Sequence, residues 1–157
     1  MNKNEVPPLI QRELQAEVLG PVFEALARRL GRDEALAVIK EAMAGAAAEA
    51  GRRAAQTAPE GASLEHFAVC MKAMAMDGRA LEMSGLAVRE GVLTYKVSRC
   101  AYLERYQEMG LPLELGYAMS CARDGAFAWG YHAGLAMERP ACIGQGDPKC
   151  EFRFIWS

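Results

Sequence analysis

No stretch of this chain approaches the ~20 consecutive apolar residues that a membrane-spanning helix needs, although 52% of its 157 residues are hydrophobic. Nor is there an excess of positive charge. Eighteen Lys and Arg against 20 Asp and Glu leave a formal net charge of −2, which argues against the basic footprint of a nucleic-acid binder. The opening MNKNEVPPLIQRELQ lacks the apolar segment of a signal peptide, so the expected location is the cytoplasm. There are no internal repeats and no low-complexity linker. The five cysteines include no C-x-x-C pair, the strong zinc signature. Their odd number and a reducing compartment make a disulfide the weakest reading. What remains is one domain, 1–157, long enough to bury a real core.

The hydrophobic pattern divides that domain into a helical part, 1–78, and a mixed strand and helix part, 79–157. Leu9, Leu14, Val18, Val22, Leu26 and Leu30 recur at about four residues and predict a helix over 7–31. Pro21 predicts a kink or break near Gly20. Asp33 is the expected cap of the next helix. Its alanine- and glycine-rich stretch 42–51 suits either close packing within the chain or the seam of a homodimer. Ser63 opens a short helix, 63–77, ended at Asp77-Gly78. Beyond it, ALEMSGLAVREGVLTYKVSRC reads as two strands joined at Glu90-Gly91. AYLERYQEMG reads as a short helix stopped by Gly110, and 112–133 as one longer helix opened by Pro112. The tail forms a second hairpin, 135–143 and 149–156, turning near Gly146. Hairpin-joined strand pairs with helices predict an α+β domain, its antiparallel sheet of about four strands covered by N-terminal and central helices.

The helix expected over 112–133 carries the polar residues that most need explaining. Cys121, Asp124, Ala128 and His132 fall on one face at ~3.6 residues per turn. Gly125 and Ala128 keep that face uncrowded, leaving room for a ligand. The plainer reading is that Asp124 pairs with a core arginine and that His132 is a satisfied surface group. Reach limits any shared chemistry: Cys121 and Asp124 are ~5 Å apart along a helix axis, Cys121 and His132 ~16 Å. Arg99 and Cys100 lie where a strand meets a helix, with Tyr102, Glu104 and Tyr106 following. Tyr102 and Tyr106 are as readily ring edges of the core. Cys100, Cys121 and Cys142 recur at intervals of 21, and Cys150 follows 8 later. The tail hairpin sets Cys142 opposite Cys150. These thiols are open to four readings: a disulfide, a metal site, catalytic groups or core residues. Cys70, among Met71, Met74 and Met76, reads as core.

Three stretches together resemble the L-2-amino-thiazoline-4-carboxylic acid hydrolase family: RELQAEVLGPVFEALARRLGRDEALAVI, RCAYLERYQEMGLPLELGYAMSCARDGAF and CIGQGDPKCEFRF. The resemblance implies an enzyme that adds water to the amidine-like carbon of a cyclic isothiourea and opens its carbon–sulfur bond, giving N-carbamoyl-cysteine or the product of a related small heterocycle. It implies catalytic roles for Asp124, which suits an amidine, and for Cys121 or Cys100, as nucleophile or to position water. Arg99 or Arg153 would hold a substrate carboxylate, with Tyr102 and His132 as further substrate contacts. The tail is also similar to ligand-sensing domains related to vinyl reductases, in which cysteines hold zinc. That likeness implies the alternative of a non-catalytic small-ligand or zinc module. Cys121, Cys142 and Cys150 are then expected as one thiol cluster, either zinc-bound or lining the pocket. The expected partner is a small molecule, not nucleic acid or membrane, and Asp124 should face a cavity shared with Cys121 and with Arg99, Cys100 or Tyr102.

Overall fold

A computed structural model describes residues 6–157; the first five residues, part of the opening stretch read as leaderless, lie outside it. Helix α1 (Pro8–Leu30) starts with proline at its first position, where no amide hydrogen is needed. It runs through Pro21 unbroken, contrary to the expected break. Pro21 and Glu17, whose carbonyl loses its partner, both lie on the exposed side, so water can satisfy that oxygen. Gly31, at φ 87°, ends α1 and also precedes the first residue of α2 (Arg32–Ala55). Asp33 is therefore in the first turn of α2 instead of capping it.

The small residues of α2 are used within the chain. A Cβ on Gly51 would collide with the backbone at Phe127 and Tyr131, and one on Gly130 with the backbone of Ala48. Two helix backbones thus meet where glycine removes the side chain. This assigns the buried part of the stripe to intramolecular packing. Ser63 caps α3 (Leu64–Ala75), its hydroxyl accepting from His66 N at 3.1 Å. Met76, Asp77 and Gly78 follow at φ 52°, 53° and 85°, which ends the helix.

Strands β1 (Leu81–Arg89) and β2 (Val92–Cys100) form the first hairpin. Glu90 and Gly91 turn it with φ 50° and 76°, the paired positive values of a type I′ turn. After α4 (Ala101–Glu108), the expected 112–133 helix is three pieces: α5 (Leu113–Met119), a 3-10 turn at Cys121–Arg123, and α6 (Asp124–Tyr131). Ser120 leaves helical geometry at φ −116°, ψ −66°. The tail wedges against this break: a Cβ on Gly144 would lie 2.5 Å from Cys121 Sγ. Arg139 Nη1 donates to the Cys121 carbonyl at 2.9 Å. His132 is already extended, at φ −155°.

Strands β3 (Leu135–Ala141) and β4 (Cys150–Trp156) complete an antiparallel sheet of order β1-β2-β4-β3, as the two predicted hairpins require. One face is buried. Leu93, Tyr95 and Val97 alternate inward on β2, as do Phe152 and Phe154 on β4. Phe67 of α3 meets Phe154 edge-on at 4.9 Å, and Tyr95 stacks on Phe152 at 4.7 Å. No described helix is long and apolar enough to cross a membrane.

Candidate functional site

A cavity of ≈ 80 Å³ lies over the buried face of the sheet, room for several groups the size of water at ~10–15 Å³ each. Met71 and Met74 from α3, Val97 from β2, Phe127 from α6, and Phe152 and Phe154 from β4 give it an apolar wall. Its polar residues come from different elements. Arg12 belongs to α1, Cys100 and Tyr102 to the β2–α4 junction, Cys121, Arg123 and Asp124 to the helix break, and Arg139 to β3.

Asp124 and Arg139 organise this polar end. Arg139 Nη1 donates to Asp124 Oδ2 at 2.7 Å, and the arginine side chain is only 7% exposed. Its guanidinium carbon also lies 5.8 Å from the Tyr117 ring centre and 5.5 Å from that of Phe152. Asp124 keeps 36% of its side-chain surface accessible and lines the cavity. Burial pushes its carboxyl up to about 7, against the opposite pull of Arg139. Cys100 is pushed up to about 11, also by burial. Tyr102 is pushed up to about 12 for the same reason, and its hydroxyl donates to the Met74 carbonyl at 2.9 Å.

The three tail-side thiols form a chain with Cys142 in the middle. Cys142 hydrogen-bonds Cys121 and Cys150, which holds it low while the same contacts push the two outer thiols up. The Ile143 amide donates to Cys150 Sγ at 3.2 Å. Asp147 fixes the turn by accepting from Cys142 N at 2.7 Å. Among the described residues no group of three or more His, Cys, Asp or Glu is arranged to hold a metal ion. Cys121 and Cys150 line the cavity, Cys142 sits fully buried behind them, and all are free.

A family model for L-2-amino-thiazoline-4-carboxylic acid hydrolase matches residues 11–154. The chain belongs to that family. A search of curated proteins finds no match. Among solved structures, the chain is similar to the phenol-responsive sensory domain of the transcription activator PoxR with phenol, at 12% identity and a TM-score of 0.56, covering 90% of this chain and 74% of that one. It is also similar to a trafficking protein particle complex subunit 3 from Naegleria fowleri covalently bound to palmitic acid, at 14% identity and a TM-score of 0.56, covering 94% and 96%. At these identities the likeness concerns the fold.

Of the residues singled out from the family resemblance, Cys100, Tyr102, Cys121 and Asp124 share the cavity. Three others lie elsewhere. Arg99 points away from its strand neighbour Cys100 and is half-exposed, donating to Glu104 Oε1 at 2.9 Å. Arg153 alternates with the inward Phe152 and Phe154, so it faces outward and pairs with Glu138 at 3.1 Å. His132 stacks on Trp156 at 4.1 Å and accepts from Gly134 N. It follows the end of α6, so the shared helix face expected for it does not exist. Sequence reasoning missed Arg12, Arg123 and Arg139. Arg139 and Arg12 come from distant elements with no local signal. Arg123 offered one, a charge next to Asp124 in an apolar stretch.

Proposed function

We propose that this member of the family hydrolyses a small heterocycle with an amidine- or isothiourea-type carbon, with 2-aminothiazoline-4-carboxylate as the first candidate. The observation that carries the reading is Asp124: a carboxyl pushed up to about 7, at the polar end of a cavity with an apolar wall, with one oxygen held by Arg139. A group with that proton affinity suits general acid–base work at neutral pH. Water is the nucleophile in this reading, because burial pushes the Cys100 thiol up, and the hydrogen bond with Cys142 together with burial pushes Cys121 up, which keeps both neutral. Asp124 takes a proton from water as its oxygen bonds to the ring carbon between nitrogen and sulfur, while the π pair of the carbon–nitrogen double bond moves onto the ring nitrogen, which receives that proton. The new hydroxyl then gives its proton to Asp124 as the carbonyl forms, and the carbon–sulfur bond breaks with its electron pair leaving on sulfur, which takes this second proton. The product is the ring-opened N-carbamoyl thiol. Arg139 fixes the carboxylate's orientation, and the aromatic wall excludes bulk water.

The apolar wall also suits a module that only binds its ligand, and the PoxR sensory domain, which shares the fold, is described with phenol. One assay separates the two. Turnover of 2-aminothiazoline-4-carboxylate is measured on the parent and on Asp124→Asn, with thermal stability recorded on the same preparations. A loss of ~10²-fold or more is expected in a folded variant. Full activity in that variant removes Asp124 from the mechanism, and an inactive parent that still binds the compound favours the binding module.

A further inference from the structure

Arg123 has no part in the chemistry above, yet it is the most conspicuous charge in the protein. The residue is 8% exposed and lines the cavity. Its Nε and Nη1 meet no hydrogen-bond partner among the described residues. Among the described residues, the one carboxylate lining the cavity is already held by Arg139 at 2.7 Å. Among the described residues, three guanidinium groups and one carboxylate line the cavity, which leaves Arg123 without a carboxylate of its own there. A guanidinium cannot shed its proton near neutral pH, and enclosing one without a counter-charge is strongly unfavourable.

We infer that Arg123 is the anion-holding residue of the cavity, whose occupant is a small organic acid with its carboxylate, or an equivalent oxyanion, hydrogen-bonded to the Arg123 guanidinium. Arg12, which also lines the cavity, adds to the attraction. Because Arg123 and Asp124 line the same cavity, the acid group is anchored in reach of the residue assigned to proton transfer, and the rest of the ligand lies along the apolar wall. The inference rests on this cavity being the ligand site, but not on the ligand being hydrolysed.

Calorimetric titration tests it with two acid–amide pairs: 2-aminothiazoline-4-carboxylate against its carboxamide, and benzoate against benzamide. For the parent, at least one acid should bind about tenfold or more tighter than its amide, the scale of a hydrogen bond to a charged group. Arg123→Met keeps the side chain's length and removes its charge. It should erase the acid's advantage while leaving the melting temperature of the ligand-free protein unchanged or higher, since no partner is lost. Arg123→Lys should keep part of the preference. The acid–amide comparison needs no variant, so a poorly folded Met protein does not block the test. Equal binding of acid and amide, failure of both acids to bind the parent, or an acid preference that survives Arg123→Met overturns the inference. Binding that depends on Arg123 without turnover refutes only the hydrolase reading.

Discussion

Replacing Asp124 with Asn should change the pH dependence of stability in a direction fixed by the site. The folded carboxyl is raised from an ordinary 3.8 to about 7, chiefly by burial. Folding therefore favours its protonated form. The resulting stability is fully present below the unfolded value near 4 and is lost as pH rises through about 7. A difference of ~3 pH units corresponds to ~4 kcal/mol for a fully enclosed group. Asp124 keeps 36% of its side chain accessible, and solvent screening roughly halves the effect, to ~2 kcal/mol. Asn cannot titrate, so the variant lacks this loss. The weaker contact to Arg139 adds an offset of its own, but that offset does not follow the proton. Melting curves for both proteins from pH 4.5 to 8.5 should show the variant gaining on the parent by ~4–8 °C across the range, at ~2–4 °C per kcal/mol for a domain of this size. Subtraction removes contributions of groups common to both. A difference that stays flat with pH would show that Asp124 is not held protonated by the fold and would remove it as a base poised near neutrality.

Two further outcomes follow from the packing. Gly130→Ala places a methyl group against the backbone of Ala48, where no flexible side chain can yield, so chemical denaturation should show a loss of ~2 kcal/mol or more. Native alkylation followed by mass spectrometry should label the half-buried Cys70 and Cys100 before the buried Cys121, Cys142 and Cys150; early labelling of the fully buried Cys142 would contradict the enclosed thiol chain.

The two hairpins were legible because their signals are local. Glu90-Gly91 adopts positive φ at both turn positions, and the tail turn carries its own glycines, Asp147 and Pro148. Ser63 likewise announced a helix by capping it. Pro21 misled because its effect depends on which side of α1 it occupies, and it occupies the exposed side. The break at Ser120 had no local signal: Tyr117 to Asp124 contains neither Pro nor Gly. Asp124 and Cys121 could be picked out by residue type and spacing, and a core arginine was one expected partner for Asp124, but which arginine could not be read from the chain. The arginine that holds Asp124 is 15 residues away on β3, and strand alternation turned Arg99 and Arg153 away from the cavity they were expected to serve.

The break in the helix and the polar end of the cavity share one cause. At the 3-10 turn the Cys121 carbonyl accepts from the Asp124 amide and also from Arg139. The same nitrogen of Arg139 donates to the Asp124 carboxylate. One guanidinium thus stabilises the irregular backbone and opposes the burial that raises the carboxyl. A continuous helix would carry the 121 carbonyl into its own ladder and leave Arg139 with one partner there instead of two. It would also move the following residues off their present positions, separating Arg123 and Asp124 from the wall they now share. The departure from helical periodicity, the feature least accessible to sequence reasoning, is therefore the feature that assembles the site.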